Sequence, residues 1–273
     1  MSEQSYEEKI DKDFHDRMGL REERPGEFSG TLISGYIDAE GKVQRQFHIR
    51  ELTGAEEDIL ASRGGGASKL NRVIANCIIQ LGPETSPATV ARLVRNLTAA
   101  DRELLLIAIR RASFGSLWDA NMNCPQCGKQ SHITINLAKL ERTEMPEPTK
   151  REYVELFDSG TQIGWHVLSC NDEEWLEEWR AKLEGKDLMS LAILSRVDYI
   201  NDEKIEKSST RDVEKALKSV QTLRMRDRNA LRESFLSREG HLDTEVEFQC
   251  PHCNRESKTG LPFGPDFFSL RGM

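Results

Sequence analysis

The stretches Asn123-Cys124-Pro125-Gln126-Cys127-Gly128 and Gln249-Cys250-Pro251-His252-Cys253-Asn254 are near copies of one another. In each, the CxxC turn lets two thiolates face one ion, and the small or turn-prone residue that follows lets the backbone bend back toward the sulfurs. Two such turns supply a tetrahedral set of four thiolates, Cys124, Cys127, Cys250 and Cys253, and the strand-like sequence on either side of each turn is the layout of a zinc ribbon. Residues 128–249 separate the pairs. Closing a loop of that length costs about 4 kcal/mol, whereas structural zinc binding supplies roughly 10–16 kcal/mol. A single structural Zn2+ is therefore the expected cofactor, stapling the base of an inserted segment to the rest of the chain. Zinc is expected ahead of iron at such a set. His132 and His252 are poorly placed to complete two separate two-cysteine sites, and His252, inside its turn, is expected to point outward. Four protein thiolates leave no open coordination position, so the ion is read as structural and not catalytic.

Upstream of the first pair, TLISGYI and VQRQFHI flank Asp38-Ala39-Glu40-Gly41 and predict a β-hairpin over residues 30–49. Thr53-Gly54-Ala55-Glu56 is a capping box that opens a helix ending before Gly64-Gly65-Gly66. The glycine run lacks the spacing of a phosphate loop. Leu70, Val73, Ile74, Cys77, Ile78 and Leu81 share one helical face, which makes Cys77 a core thiol. Ser86-Pro87 opens a helix with Val90, Leu93, Val94 and Leu97 inward. Thr98 to Asp101 caps another with Leu104, Ile107 and Ala108 inward and with Arg110 and Arg111 complementing the dipole at its end. These helices are expected to pack as a small bundle.

Between the pairs, HITINL alternates as a strand, and YVELF and IGWHVLS form a hairpin across Asp158-Ser159-Gly160. Asn171 to Glu174 is read as the cap of a helix bearing Trp175, Leu176, Trp179 and Leu183 on one face. Leu188 to Ile200 reads as a further helical segment. Val213 to Phe235 reads as a long helix interrupted at Arg224–Arg228. The 273 residues carry 38 Lys+Arg against 46 Asp+Glu, a net charge of −8 that argues against a nucleic-acid coat. No apolar run is long enough for a membrane span. The acidic N-terminus, with Ile10, Phe14 and Met18 as its one apolar stripe, does not read as a secretory signal. A reducing cytoplasm is the expected compartment.

LTGAEED at residues 52–58, DRELLLIAIRRASFGSLWDANMNCPQCGK at 101–129 and GHLDTEVEFQCPHCNRESKTGLPFGPDFFSL at 240–270 resemble the T4-type phage baseplate hub assembly chaperone family. The resemblance implies a non-enzymatic assembly or structural protein of a contractile tail baseplate. Such a protein acts in the host cytoplasm by holding other baseplate, hub or tail subunits, with the zinc ligands at Cys124, Cys127, Cys250 and Cys253. The expected fold class is α+β: a small helical bundle with an N-terminal β-hairpin, a four-cysteine zinc ribbon formed by distant CxxC knuckles, and an inserted αβ segment. The expected divisions are an acidic arm (1–27), a hairpin and helical domain (28–120), zinc-ribbon halves (121–137 and 242–262), an inserted αβ domain (138–241) and an aromatic tail (263–273). Two readings of the tail stand: a cover for the protein's own core, or a partner-binding peptide anchored by Phe263, Phe267 and Phe268. A nucleic-acid-binding zinc ribbon is the alternative function, with Lys129, Arg255, Lys258 and the series Arg224, Arg226, Arg228 and Arg232 on phosphates.

Overall fold

Strands β1 (Arg21–Arg24), β2 (Glu27–Ile37) and β3 (Val43–Arg50) run antiparallel to their neighbours. The computed structural model to which they belong describes residues 18–261, 263 and 265–268. The expected stripe through Ile10 and Phe14 lies outside the described residues, while Met18 and Leu20 are buried. The β2–β3 turn forms where Asp38 can hold it. Its carboxylate accepts from the backbone N–H groups of Glu40 and Lys42, and Gly41 takes φ +79°.

Thr53 and Glu56 complete their capping box ahead of α1 (Gly54–Ala61). Helix α2 (Gly66–Cys77) buries Leu70, Val73, Ile74 and Cys77. The expected helical stripe continues to Leu81, but the helix stops at Cys77 and Ile78–Leu81 becomes β4, paired with β3. Ile78 and Leu81 face the same core from the strand, so the apolar spacing outlives the change of backbone. The β-branched pair Ile78-Ile79 and the open edge of β3 favour that pairing. The resulting sheet has the order β1-β2-β3-β4.

Helices α3 (Pro87–Asn96) and α4 (Ala99–Phe114) follow, the latter capped by the Thr98 hydroxyl, which accepts from the Asp101 N–H. The expected bundle is thus backed by a sheet, and α4 is the layer between. Every side chain from Leu104 to Ile109 is 0% exposed, so the single inward stripe expected of α4 is instead an all-round apolar surface. Arg110 and Arg111 are buried too, and do more than face a helix dipole. The Arg110 guanidinium lies 5.1 Å from the Phe114 ring centroid and 5.5 Å from that of Phe267, and Arg111 stacks 5.2 Å from Phe28.

Strands β5 (Leu117–Asn123) and β6 (Gln130–Asn136) form a hairpin, followed by β7 (Glu141–Thr143). Then come β8 (Glu152–Leu156), β9 (Gln162–His166) and α5 (Cys170–Lys182). The cap of α5 lies slightly upstream of the expected Asn171: Ser169 and Asp172 satisfy each other's N–H groups. Helix α6 (Leu188–Leu194) is shorter than expected. The rest of that segment is strand β10 (Val197–Ile200), held against β9 with Val197 opposite Trp165 and Ile200 opposite Ile163. With β11 (Glu203–Lys204) the second sheet has the order β11-β10-β9-β8.

The long helix expected beyond Val213 is two helices, α7 (Thr210–Thr222) and α8 (Met225–Arg238), broken by the extended backbone of Arg224. Strands β12 (His241–Asp243), β13 (Glu245–Gln249) and β14 (Glu256–Gly260) follow, and then a turn of 3-10 helix at Pro265–Phe268. Among the described residues no helix is long and apolar enough to cross a membrane.

Two cores result. The first takes residues from Met18 to Leu140 together with Cys170, Leu242, Val246, Leu261, Phe267 and Phe268; the second runs from Met145 to Phe235. The chain leaves the first through β7 and returns through β12, and those strands pair with each other, Thr143 opposite His241. A polar seam joins the cores. The Asp101 carboxylate accepts from the N–H groups of Ser34 and Gly35, and Arg151 donates to their carbonyls. Arg102 pairs with Glu173. The Glu177 carboxylate accepts from the N–H groups of Gly66 and Ala67, capping α2 in place of the side chain that Gly65 lacks.

Candidate metal centre

Each CxxC turn is built by the same backbone bonds. In the first, Cys124 N–H donates to the Lys129 carbonyl and Gly128 N–H to the Cys124 carbonyl, with Gly128 at φ +71°. In the second, Cys250 N–H donates to the Arg255 carbonyl and Asn254 N–H to the Cys250 carbonyl, with Asn254 at φ +57°. Glycine and asparagine are the residues that tolerate this left-handed conformation, which is why they follow the second cysteine of each pair. The strands enter in equal register: Asn123 lies opposite Gln130, and Gln249 opposite Glu256.

The two hairpins bring all four sulfurs within 4.8 Å of one another. Cys124 Sγ lies 3.8 Å from Cys253 Sγ, and Cys127 Sγ lies 3.8 Å from Cys250 Sγ. Thiolates bound about 2.3 Å from a tetrahedral ion stand about 3.8 Å apart, so the spacing fits a four-coordinate metal of that size. It does not fit disulfides, whose sulfurs sit about 2.05 Å apart. Among the described residues no other group of three or more possible ligands meets in this way.

The surroundings of two of the sulfurs favour the thiolate. Burial raises the Cys124 thiol, but the N–H groups of Cys127 and Gln126 and the Ser257 hydroxyl outweigh it and bring it down to about 6. Cys250 is likewise lowered, burial being outweighed by the N–H groups of Cys253 and His252 and by the Ser131 hydroxyl. The Lys129 N–H draws the Cys127 thiol down and burial raises it, but the surrounding sulfurs push it up to about 11. Part of the cluster thus favours thiolates, the form in which cysteine binds a metal. Four sulfur donors gathered this closely suit a soft divalent ion, and four thiolate ligands would leave it no vacant position.

The remaining residues singled out in the sequence fall elsewhere. Cys77 is a buried core thiol, pushed up to about 12 chiefly by burial, and Cys170 is a second buried thiol well above its ordinary range for the same reason. His252 is exposed, with Nε2 3.1 Å from the Gln130 carbonyl. Phe267 is fully buried, edge-on to Trp118 at 5.0 Å, and Phe268 is buried beside it. Phe263 is half-buried against Phe267. The two buried phenylalanines line the first core, as a covering tail would. Ser131 and Ser257 are buried beside the sulfurs and are not among the residues that the knuckle pattern singles out. The signal was present as a serine at the same distance past each cysteine pair.

A family model described as T4 bacteriophage base plate protein matches residues 39–269 of this chain. No curated protein and no solved structure matches it.

Proposed function

The chain belongs to the T4 bacteriophage base plate protein family, and from that premise we propose that it is a non-enzymatic assembly chaperone or structural component of a contractile phage-type tail. In this reading it binds other baseplate or hub subunits in the host cytoplasm during assembly and uses one structural Zn2+ to hold its own shape. The observation that carries the reading is the family match over residues 39–269, and the meeting of two cysteine pairs from distant parts of the chain carries its zinc part. Cys124, Cys127, Cys250 and Cys253 would hold the ion, which when bound supplies a cross-link between the β5–β6 and β13–β14 hairpins. Those hairpins flank the inserted residues, so the cross-link and the β7–β12 pairing together hold the two cores in one arrangement. A rigid two-core body offers partners a preformed surface, which lowers the ordering cost of binding. The tail residues Phe267 and Phe268 serve this rigidity from within, and Phe263 is the one of the three with surface left for a partner.

The nucleic-acid reading is not favoured. Its arginine series does not form one face: Arg228 is buried and donates to the Val220 carbonyl and the Ser190 hydroxyl. Lys258 is paired with Glu247. The test is co-expression with baseplate and hub proteins of the same tail, followed by capture of the tagged chain. Stoichiometric recovery of a hub or baseplate subunit is the expected result, together with one zinc per chain by elemental analysis. Recovery of none, with salt-sensitive binding to random DNA instead, overturns the reading.

A further inference from the structure

The two knuckles match over eight positions, not six. Cys124 to Ser131 (CPQCGKQS) and Cys250 to Ser257 (CPHCNRES) both read Cys-Pro-x-Cys-x-x-x-Ser. Each serine is the second residue of the returning strand, Ser131 in β6 and Ser257 in β14. Their neighbours Gln130, His132, Glu256 and Lys258 are exposed, whereas Ser131 is 4% and Ser257 5% exposed. Strand alternation therefore turns both hydroxyls toward the sulfurs.

The pairing is crossed. Ser131 Oγ lies 3.8 Å from Cys250 Sγ, on the other hairpin, and Ser257 Oγ lies 3.6 Å from Cys124 Sγ. These are the two buried cysteines of the set; Cys127 is exposed and Cys253 half-buried. A buried hydroxyl without a partner costs free energy, so a serine in each position needs an acceptor, and a metal-bound thiolate keeps lone pairs free to accept. Donors around a metal's ligands fix their orientation and tune how tightly they bind.

We propose that Ser131 and Ser257 are crossed positioning residues of the metal centre, each donating its hydroxyl proton to the buried thiolate of the opposite knuckle. Each hairpin thereby helps to hold a ligand carried by the other. The inference rests on the zinc reading above. It adds that the Cys124 and Cys250 side of the centre is the anchored one, and that ion release begins at the exposed side, Cys127 and Cys253.

The experiment uses the full chain, loaded with zinc for chelator competition and with cobalt(II) for its thiolate-to-metal charge-transfer band. Ser131→Ala and Ser257→Ala should each weaken zinc binding by about tenfold or more. Both should also move the cobalt band to lower energy, because a thiolate stripped of its donor is easier to oxidise. Ser131→Thr and Ser257→Thr, which keep the hydroxyl, should leave the band in place. Alanine variants that bind zinc within about twofold of the parent and leave the band unmoved overturn the assignment. Weakened binding with an unmoved band marks a packing role and overturns it equally. A parent chain that binds neither metal overturns the zinc reading itself, and is told apart from the other failures because no variant is needed to see it.

Discussion

Single residues set titratable groups in places where the chain could not otherwise tolerate them. His166, at the end of β9, has Nδ1 2.8 Å from the Asp198 carboxylate and Nε2 3.3 Å from that of Asp172. Burial lowers its pKa, but the two carboxylates outweigh that and raise it to about 9. The imidazolium is therefore favoured by the folded state. Its contribution is fully present below the ordinary histidine pKa of about 6.5 and is lost as pH rises through about 9, with an upper size of about 3 kcal/mol. Denaturant midpoints of the metal-loaded protein should fall across that window, and His166→Gln should flatten the fall. An unchanged slope in the variant would place the titration elsewhere. Asp101 works by another device: it is fully buried, and its carboxylate is satisfied by the N–H groups of Ser34 and Gly35, where β2 bulges and Gly35 takes φ +73°. Neither role can be read from sequence, because Asp198 lies 32 positions from His166 and Ser34 lies 67 positions from Asp101.

At the scale of elements, local chemistry was legible wherever it was self-contained. The β2–β3 turn at Asp38 to Gly41, the capping box at Thr53 and the cap at Thr98 are all built from neighbours in sequence, and all three form. The misreadings fall where a strand partner decided the backbone. Ile78–Leu81 and Val197–Ile200 both keep an apolar spacing compatible with a helix, yet each lies beside an open strand edge, β3 in one case and β9 in the other. Short apolar segments do not distinguish the two conformations by period alone. The apolar spacing of α2 is local, but its N-terminal cap is not, since Glu177 comes from α5. Glu177→Ala should cost about 1 kcal/mol and speed amide exchange at Gly66 and Ala67 while leaving α5 intact. Equal exchange in variant and parent would show that solvent caps the helix just as well.

For the whole molecule, the decisive contact is the meeting of the two knuckles, 123 positions apart at Cys127 and Cys250. Exchanging Cys250 for serine removes one of four sulfurs and, with it, the saturation of the site. Local helices should persist, because the two apolar cores are built largely from different parts of the chain. The join should loosen, giving new protease cuts near residues 128–150 and 236–250, and metal removal by chelation should give the same pattern. Cleavage identical to that of the parent would mean that the β7–β12 pairing and the polar seam alone hold the cores together.

By itself the amino-acid sequence determined the four cysteines that meet in one cluster, the two knuckle turns, most helix starts and the α+β character, because each depends on residues a few positions apart or on an internal copy. Only the tertiary structure decided that Leu104–Ile109 of α4 are buried on every side, that Arg110 and Arg111 stack on aromatic rings within the fold, that Glu177 caps a helix of the first core, and that each knuckle's serine addresses the other knuckle's sulfur. These depend on which surfaces meet, and that is settled by packing and by the need of every buried polar group for a partner, whatever its distance along the chain.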